Sequence, residues 1–466
     1  MRARVLHLTI AFIALFVLLA AQEIRVQLVD RARTNARAGN PRRSLTNELR
    51  GALLDARGVA LAQSKAGKRI YGAGASLSQL VGYSSAVYGE SGLEAALDSI
   101  LSPPDERLTG VGDAAGLFRK NAGKGGQTGS DVVLTLRADI AAIVDRALPG
   151  SIRGAALVMD PRNGNILAAV NRPTFDPNTL AAQWKTLRSS AQSPLLDRAL
   201  AGLYPPGSTF KMVTASAALD TGTVVPSDTF SDPGYFEVGG FRIRNAENEV
   251  TGTQNFTGAF ALSSNVDFAQ IGLKLGLDGY YDYLHRFHVG DEPGLAVPTA
   301  QDEVPAKATI VPSELAQMAF GQGGLAVTPL RMALIASTIA NGGVMMRPQL
   351  VKEFRVNGRL PLSVPPTRWE RVLSETTASR LRDMMIAVVR SGTGTAARMP
   401  RVTVAGKTGT ATHVGAPPHA WFVCFAPAER PRIVVAVVVE DAGYGGVVAA
   451  PIARKILEGS LPLYPR

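Results

Sequence analysis

Apolar positions in the second half of this chain recur in two rhythms. Ile433-Val-Val-Ala-Val-Val-Val439 is apolar at every position and rich in β-branched residues. A strand with one solvated face would alternate, so this run predicts a central strand covered on both sides. Runs over 402–410 and 419–425 predict further strands. Earlier, 131–136 alternates as a strand, and apolar runs over 155–160 and 166–170 flank Asn163-Gly164, a hairpin signal. The other rhythm is helical. Ile140, Ile143, Val144, Ala147 and Leu148 share one side of a helix over 138–148 that Pro149 and Gly150 stop. Helices are also expected over 266–275, 313–320, 330–340 and 375–389. Met212 to Leu219 has no solvated face, which predicts a buried helix entered after Pro206-Gly207 and closed by Gly222. Strands near both ends with helices between them imply one sheet built from distant segments, with helices packed on it, an α/β fold of the α+β type.

The front reads differently. Residues 22–130 have little long-range periodicity and are rich in Arg, Gly and Ser. Short strand candidates at 52–54 and 59–62 flank turn residues 55–58, and 110–129 has the composition of a loop. A small accessory module fits better than a catalytic core. Before it, Val5 to Ala21 follows Arg2 and Arg4 and is near the short limit for a membrane span. A cleaved signal peptide is the rival, but Leu18 or Leu19 falls where cleavage requires a small residue, so a retained anchor is expected. Arginines flank both ends, so charge does not orient it.

Composition narrows the function classes. With 466 residues, 46% apolar and 19% charged, the chain can bury large cores in two or three units. Its single cysteine, Cys424, excludes an internal disulfide framework and is expected to be an inert buried thiol. The net charge of +11 gathers partly in Arg25, Arg31, Arg33, Arg37, Arg42, Arg43 and Arg50. No zinc-finger spacing or RNA-binding aromatic motif accompanies it, so nucleic acid is not the expected partner. Such a stretch suits anionic lipid heads or an anionic wall polymer, or is simply a solvated basic face.

The chemistry begins at Lys211, the only charged residue between Arg198 and Asp220. It follows Ser208 by three positions at the first turn of the predicted buried helix, so both side chains share a face. Burial lowers an ammonium's pKa and frees the amine to take a hydroxyl proton, which activates a serine without histidine. Alone, S-x-x-K occurs by chance. Ser263-Ser264-Asn265 precedes a helix and would alone be read as an N-cap. Lys407-Thr408-Gly409-Thr410 lies in a predicted strand, where a Lys beside two hydroxyls suits a carboxylate and Gly409 admits a substrate backbone, yet it too could be structural. In the order S-x-x-K, S-x-N, K-T-G, the three are a signature of penicillin-interacting serine acyltransferases. Gly321 to Gly324 reads as a tight turn, not a phosphate loop. His285-x-x-His288 lacks a third metal ligand, and His413 and His419 are given no role. No metal or cofactor is implied.

The chain resembles the class B penicillin-binding proteins, in their short actinobacterial form. Arg198 to Val213, Ala319 to Gly324 with Val327 to Leu330, Ile339 to Gly343, Ser391 to Ala396, Gly406 to Ala411, Trp421 to Pro427 and Ala449 to Ile452 follow that family's order. Asn40-Pro41-Arg42 and Arg50-Gly51 resemble its membrane-proximal module. Cys424, where the family often has glycine, and Arg137, where an acid is common, depart from it.

The resemblance implies a penicillin-binding/β-lactamase-like transpeptidase domain, an antiparallel sheet with helical layers, over 151–466. It also implies an N-terminal pedestal over 28–150 and a cytoplasmic tip with one transmembrane helix over 1–27. The activity implied is D,D-transpeptidation of peptidoglycan stem peptides, with acylation by β-lactams and an extracytoplasmic catalytic domain. Ser208 would be the nucleophile, Lys211 its base and Ser263 a proton relay tuned by Lys407. Asn265 would hold the donor peptide, Thr408 and Thr410 the terminal carboxylate, and the N–H groups of Ser208 and Thr410 the oxyanion. Lipid II-derived strands, a SEDS-type membrane glycosyltransferase and divisome or elongasome proteins are the implied partners. A class D β-lactamase, which usually carries Val where Asn265 stands, and a β-lactam sensor, which usually has several spans, remain alternatives.

Overall fold

The front of the chain is built on short strands that cannot stand alone. In the computed structural model, which describes residues 50–103, 128–356, 360–412 and 415–464, β1 (Leu53–Leu54), β2 (Ala60–Lys65) and β3 (Lys68–Tyr71) form an antiparallel meander. β4 (Asp131–Leu134) then runs parallel to β1. The expected anchor, the arginines before Arg50, Asn40 to Arg42, His413 and nearly all of the expected 110–129 loop lie outside the described residues. Among the described residues no helix is long and apolar enough to cross a membrane.

After β4 come α1 (Ala138–Ala147) and the expected hairpin of β5 (Gly154–Met159) and β6 (Ile166–Arg172). The buried helix is α2 (Lys211–Asp220). Residues 229–255, for which no elements are predicted above, form two antiparallel strand pairs. β7 (Thr229–Asp232) pairs with a later strand, and β8 (Tyr235–Val238) pairs with β9 (Phe241–Arg244) across Gly239-Gly240, both at positive φ. The partner of β7 is β10 (Gly252–Asn255). Two helices follow, α3 (Phe256–Leu262) and α4 (Asn265–Arg286). The second runs beyond the expected 266–275 by breaking at Gly276, whose φ of 78° a side-chain-bearing residue would resist.

The rest includes α5 (Pro329–Ala340), β11 (Val351–Arg355), β12 (Leu362–Ser363), α6 (Glu375–Ser391), β13 (Ala405–Ala411), β14 (His419–Ala426), β15 (Ile433–Val439) and α7 (Ala449–Ser460). The expected strand over 402–410 starts only at Ala405, because Val402 turns back to bridge Met399.

The large sheet runs β13-β14-β15-β5-β6, antiparallel throughout, so both ends of the chain build it and β15 is its middle strand. All seven residues of β15 are buried, as its unalternating pattern predicts. Each buried Val or Ile contributes on the order of 1.5–3 kcal/mol, so a charge placed in this strand would undo the core. Helices α1 and α7 pack together against the sheet, and α5 packs on β15, β5 and β14. β13 is the edge strand, which leaves its free side for α6 and the segment carrying Ser208. The smaller sheet runs β12-β11-β4-β1-β2-β3, so the front module borrows two strands from the middle of the chain.

Candidate active site

Ser208 stands in a 3₁₀ turn, Gly207–Phe210, that leads into α2. Gly207 has a φ of 52°, and its N–H donates to Gly321 O at 2.9 Å. A Cβ on Gly321 would sit 1.9 Å from Gly207 O. The Gly321 turn therefore clamps the nucleophile segment from behind, as a structural turn should. On the other side, a Cβ on Gly409 would meet Thr209, Trp421 and Pro206, at 2.9 Å from Thr209 Cγ2. Trp421 Nε1 donates to Pro205 O at 3.1 Å. Ser208 is thus wedged against the K-T-G strand and remains half-exposed at the front.

Lys211 is fully buried, and its amine reaches Ser263 O at 2.5 Å, Asn265 Oδ1 at 2.9 Å and Ser263 Oγ at 3.3 Å. The Phe268 ring lies 5.2 Å away. Burial, and then the charge of Lys407, hold this amine well below the usual lysine range, against the pull of Asp267 and Asp232. Lys407 is buried as well, and burial pushes its pKa down to about 7. Its amine donates to Ser263 Oγ at 2.7 Å and to Thr408 O at 3.1 Å. One serine hydroxyl therefore bridges two lysines on different elements. A hydroxyl can donate once and accept twice, which is what a relay between two amines requires.

Ser263 holds this place through a left-handed backbone, φ 64° and ψ 33°, at the joint between α3 and α4. Such a conformation costs a non-glycine residue on the order of 1 kcal/mol or more and persists where surroundings enforce it. The capping reading also holds, for the neighbour: Ser264 Oγ accepts the Asp267 N–H at 2.9 Å as the N-cap of α4. Asn265 gives its oxygen to Lys211 and its amide donates to Arg244 O at 3.0 Å. The third wall is β13. Thr408 Oγ1 lies 2.5 Å from Thr393 Oγ1, Thr410 borders the cleft half-exposed, and a Cβ on Gly207 would lie 2.9 Å from Thr410 O. The eight predicted site residues therefore converge on one cleft between α2, the α3–α4 joint and β13.

Other groups at the site have no role in the sequence reading. Asp232 accepts from Gly234 N, Asn245, Thr251 and Ser264. Despite burial, these donors hold its carboxyl below the usual range. Asn245 Oδ1 also receives Asn265 N at 2.8 Å. Nothing in the local sequence marks Asp232 as a site neighbour, although Gly239-Gly240 between alternating runs is a legible hairpin signal for the insert that carries it. Behind the nucleophile segment, Glu440 accepts from Arg198 Nε at 2.7 Å and Tyr204 Oη at 2.8 Å.

The remaining sequence candidates are structural. His288 stacks on Trp369 with Nδ1 2.8 Å from Asp291. No cluster of potential metal ligands exists among the described residues. His419 Nδ1 accepts Asp441 N at 3.1 Å. Cys424 is fully buried, and burial pushes its thiol pKa up, as an inert thiol requires.

Comparison with known proteins gives the same outline. Residues 154–458 match the penicillin binding protein transpeptidase domain, and residues 50–127 match the penicillin binding protein A dimerisation domain. The peptidoglycan D,D-transpeptidase PbpA of Mycolicibacterium smegmatis is 34% identical over 425 residues, 84% of each chain. PbpA of Mycobacterium tuberculosis is 33% identical over 408 residues, 82% of each. A structure of penicillin-binding protein A from M. tuberculosis, a ceftriaxone acyl-enzyme complex, superposes with a TM-score of 0.79 at 30% identity, covering 89% of this chain and 99% of that one. The D,D-transpeptidase domain of a peptidoglycan glycosyltransferase from Eggerthella lenta superposes with a TM-score of 0.79 at 35% identity, covering 89% and 98%.

Proposed function

The chain belongs to the penicillin-binding protein transpeptidase family, and on that premise we propose a residue-by-residue mechanism for its reaction. The protein is a serine D,D-transpeptidase of peptidoglycan that β-lactams acylate. In the proposed first step, neutral Lys211 takes the Ser208 proton as Ser208 Oγ attacks the carbonyl before the terminal D-Ala of a stem peptide. The C–N bond breaks, and Ser263 passes a proton to the leaving amine. An amine from a neighbouring stem then attacks the ester, the Ser208–carbonyl bond breaks, and a cross-link forms. The N–H groups of Ser208 and Thr410 hold the oxyanion, Thr408 and Thr410 with Lys407 hold the terminal carboxylate, and Asn265 holds the donor amide.

The observation that carries this reading is the contact chain Lys211–Ser263–Lys407 beside Ser208, with both lysines buried and depressed in pKa. An amine must be neutral to act as a base, and burial drives both lysines toward that form.

Further parts of the proposal concern placement. Residues 1–27 serve as a cytoplasmic tip and single membrane anchor, 28–150 as a pedestal, and 151–466 as an extracytoplasmic catalytic domain. The apolar run 5–21 and the family matches over 50–127 and 154–458 support this division. Strands derived from lipid II are the substrate source, and a SEDS-type membrane glycosyltransferase with divisome or elongasome proteins the partners, a reading supported by the match of residues 154–458 to a transpeptidase domain, which cross-links strands that another enzyme polymerises. Labelling by a fluorescent penicillin tests the core. Wild type should label, Ser208→Ala should not, and Lys211→Ala should label about 10²–10⁴-fold more slowly. Wild type should also join donor and acceptor stem peptides. An unlabelled wild type, or hydrolysis without cross-linking, would sink the reading.

A further inference from the structure

Asp267 is completely buried on the first turn of α4, and neither of its carboxyl oxygens has a hydrogen-bond partner. Its N–H goes to the Ser264 hydroxyl, but the single proton of that hydroxyl goes to Asp232 Oδ2 at 2.9 Å. Asp232 is saturated with donors, while the hydroxyl that acts on Asp267 is that same Ser264, already committed to Asp232. A buried carboxylate so short of donors is costly, and a fold that keeps one needs a reason. The same turn of α4 wraps the Lys211 amine, with Asn265 Oδ1 at 2.9 Å and the Phe268 ring at 5.2 Å. Asp267 lies between those two positions, and its charge acts on the amine.

We propose that Asp267 is a positioning residue for acyl transfer, the anion that compensates the charge Lys211 acquires with the Ser208 proton. The proposal deepens the mechanism above and rests on Lys211 being the acceptor of that proton. In the step, the Ser208 O–H bond breaks, Oγ bonds to the carbonyl carbon, and the proton moves to Lys211 Nζ. Asp267 exchanges no proton. Burial and the charge of Lys407 push the resting amine toward its uncharged form, the form in which the mechanism above uses it. Burial and the charge of Asp232 raise Asp267 to about 6, so it is already an anion. Its attraction for Lys211 therefore grows only as the ammonium forms, which is the condition for lowering a barrier.

The charged groups that act on Asp267 are Asp232 on β7 and Lys211 on α2. Those that act on Lys211 are Lys407 on β13 with the two aspartates. Arg244, on the adjoining β9, is exposed.

The test measures acylation by a fluorescent penicillin from about pH 5 to about pH 9 for wild type, Asp267→Asn and Asp267→Ala, with thermal unfolding of each. Both variants should lose about tenfold on the neutral plateau, and their acid limb should move to lower pH, since Lys211 loses an anion that favours its charged form. The folded carboxyl pKa of about 6 lies above its ordinary 3.8, so wild type loses stability as pH rises through that window. Both variants should accordingly melt above wild type at pH 7, with the gain vanishing near pH 4. An acid limb that stays in place, or variants that melt below wild type at pH 7, would overturn the proposal. Lys211→Ala labelling as fast as wild type would instead remove the underlying mechanism.

Discussion

In the mechanism proposed for it, Lys407 carries two tasks, of which only one depends on pH. Its amine holds the Ser263 hydroxyl at 2.7 Å, a contact that a neutral amine also makes. Recognition of a substrate carboxylate, in contrast, needs the positive charge. With its pKa pushed down to about 7 by burial, that charge drains as pH rises through 7. The preference for a donor peptide ending in a free carboxylate over its C-terminal amide should therefore be strong below pH 7 and decline above it, read as the ratio of kcat/KM values. Lys407→Met should flatten the ratio, and a wild-type ratio constant from pH 6 to pH 9 would remove the charge from substrate recognition. At this scale the sequence was informative about identities and silent about partners. S-x-x-K, S-x-N and K-T-G name the converging residues. Nothing in them says that Asn265 gives its oxygen to Lys211, or that Thr408 turns toward Thr393.

Elements were legible where one local pattern determined them. The unalternating β15 is central, the Asn163-Gly164 hairpin forms, and α2 is buried as its lack of a polar face required. Residues 229–255 carry no expected elements because their strands are short and half-exposed, so no apolar stripe announces them, and Gly239-Gly240 is the signal they offer. The loop after β15 is another element whose importance is invisible locally. A Cβ on Gly445 would lie 2.0 Å from Trp421 O and 2.4 Å from Gly409 O, inside the ladder that joins β13 to β14. Gly445→Ala must push that ladder apart. It should cost about 1–3 kcal/mol in a urea titration and slow acylation, because Gly409 lines the Ser208 segment. An unchanged midpoint would mean that the loop yields instead of the strands.

For the whole molecule, the two sheets differ in what holds them. The large one rests on burial, the small one on a buried ion network as well. Glu94, fully buried, accepts from Arg50 Nε at 2.8 Å and from Arg69 Nε at 2.6 Å, and Arg50 also reaches Asp98. Removing Glu94 would take the carboxylate from the buried Arg69 Nε and leave the buried Arg50 to Asp98 and Glu90. Glu94→Ala should cost the front module about 3–5 kcal/mol and separate an early calorimetric transition, while penicillin labelling at Ser208 persists below it. Simultaneous loss of labelling would show that the sheet shared with residues 351–363 transmits the damage.

The pairing of β15 with β5 sets a final condition, on how the protein comes into being. Val439 faces Gly154 across roughly 280 intervening residues. The ribosome therefore releases the nucleophile long before the strand that completes its sheet. Until residue 439 has emerged, the β5–β6 hairpin presents an apolar edge with no neighbour, a surface that invites aggregation. A message truncated just upstream of this strand should yield no weakened enzyme, only a chain for proteases to clear. Cells making the full protein have a built-in delay between synthesis of the reactive serine and its first opportunity to react.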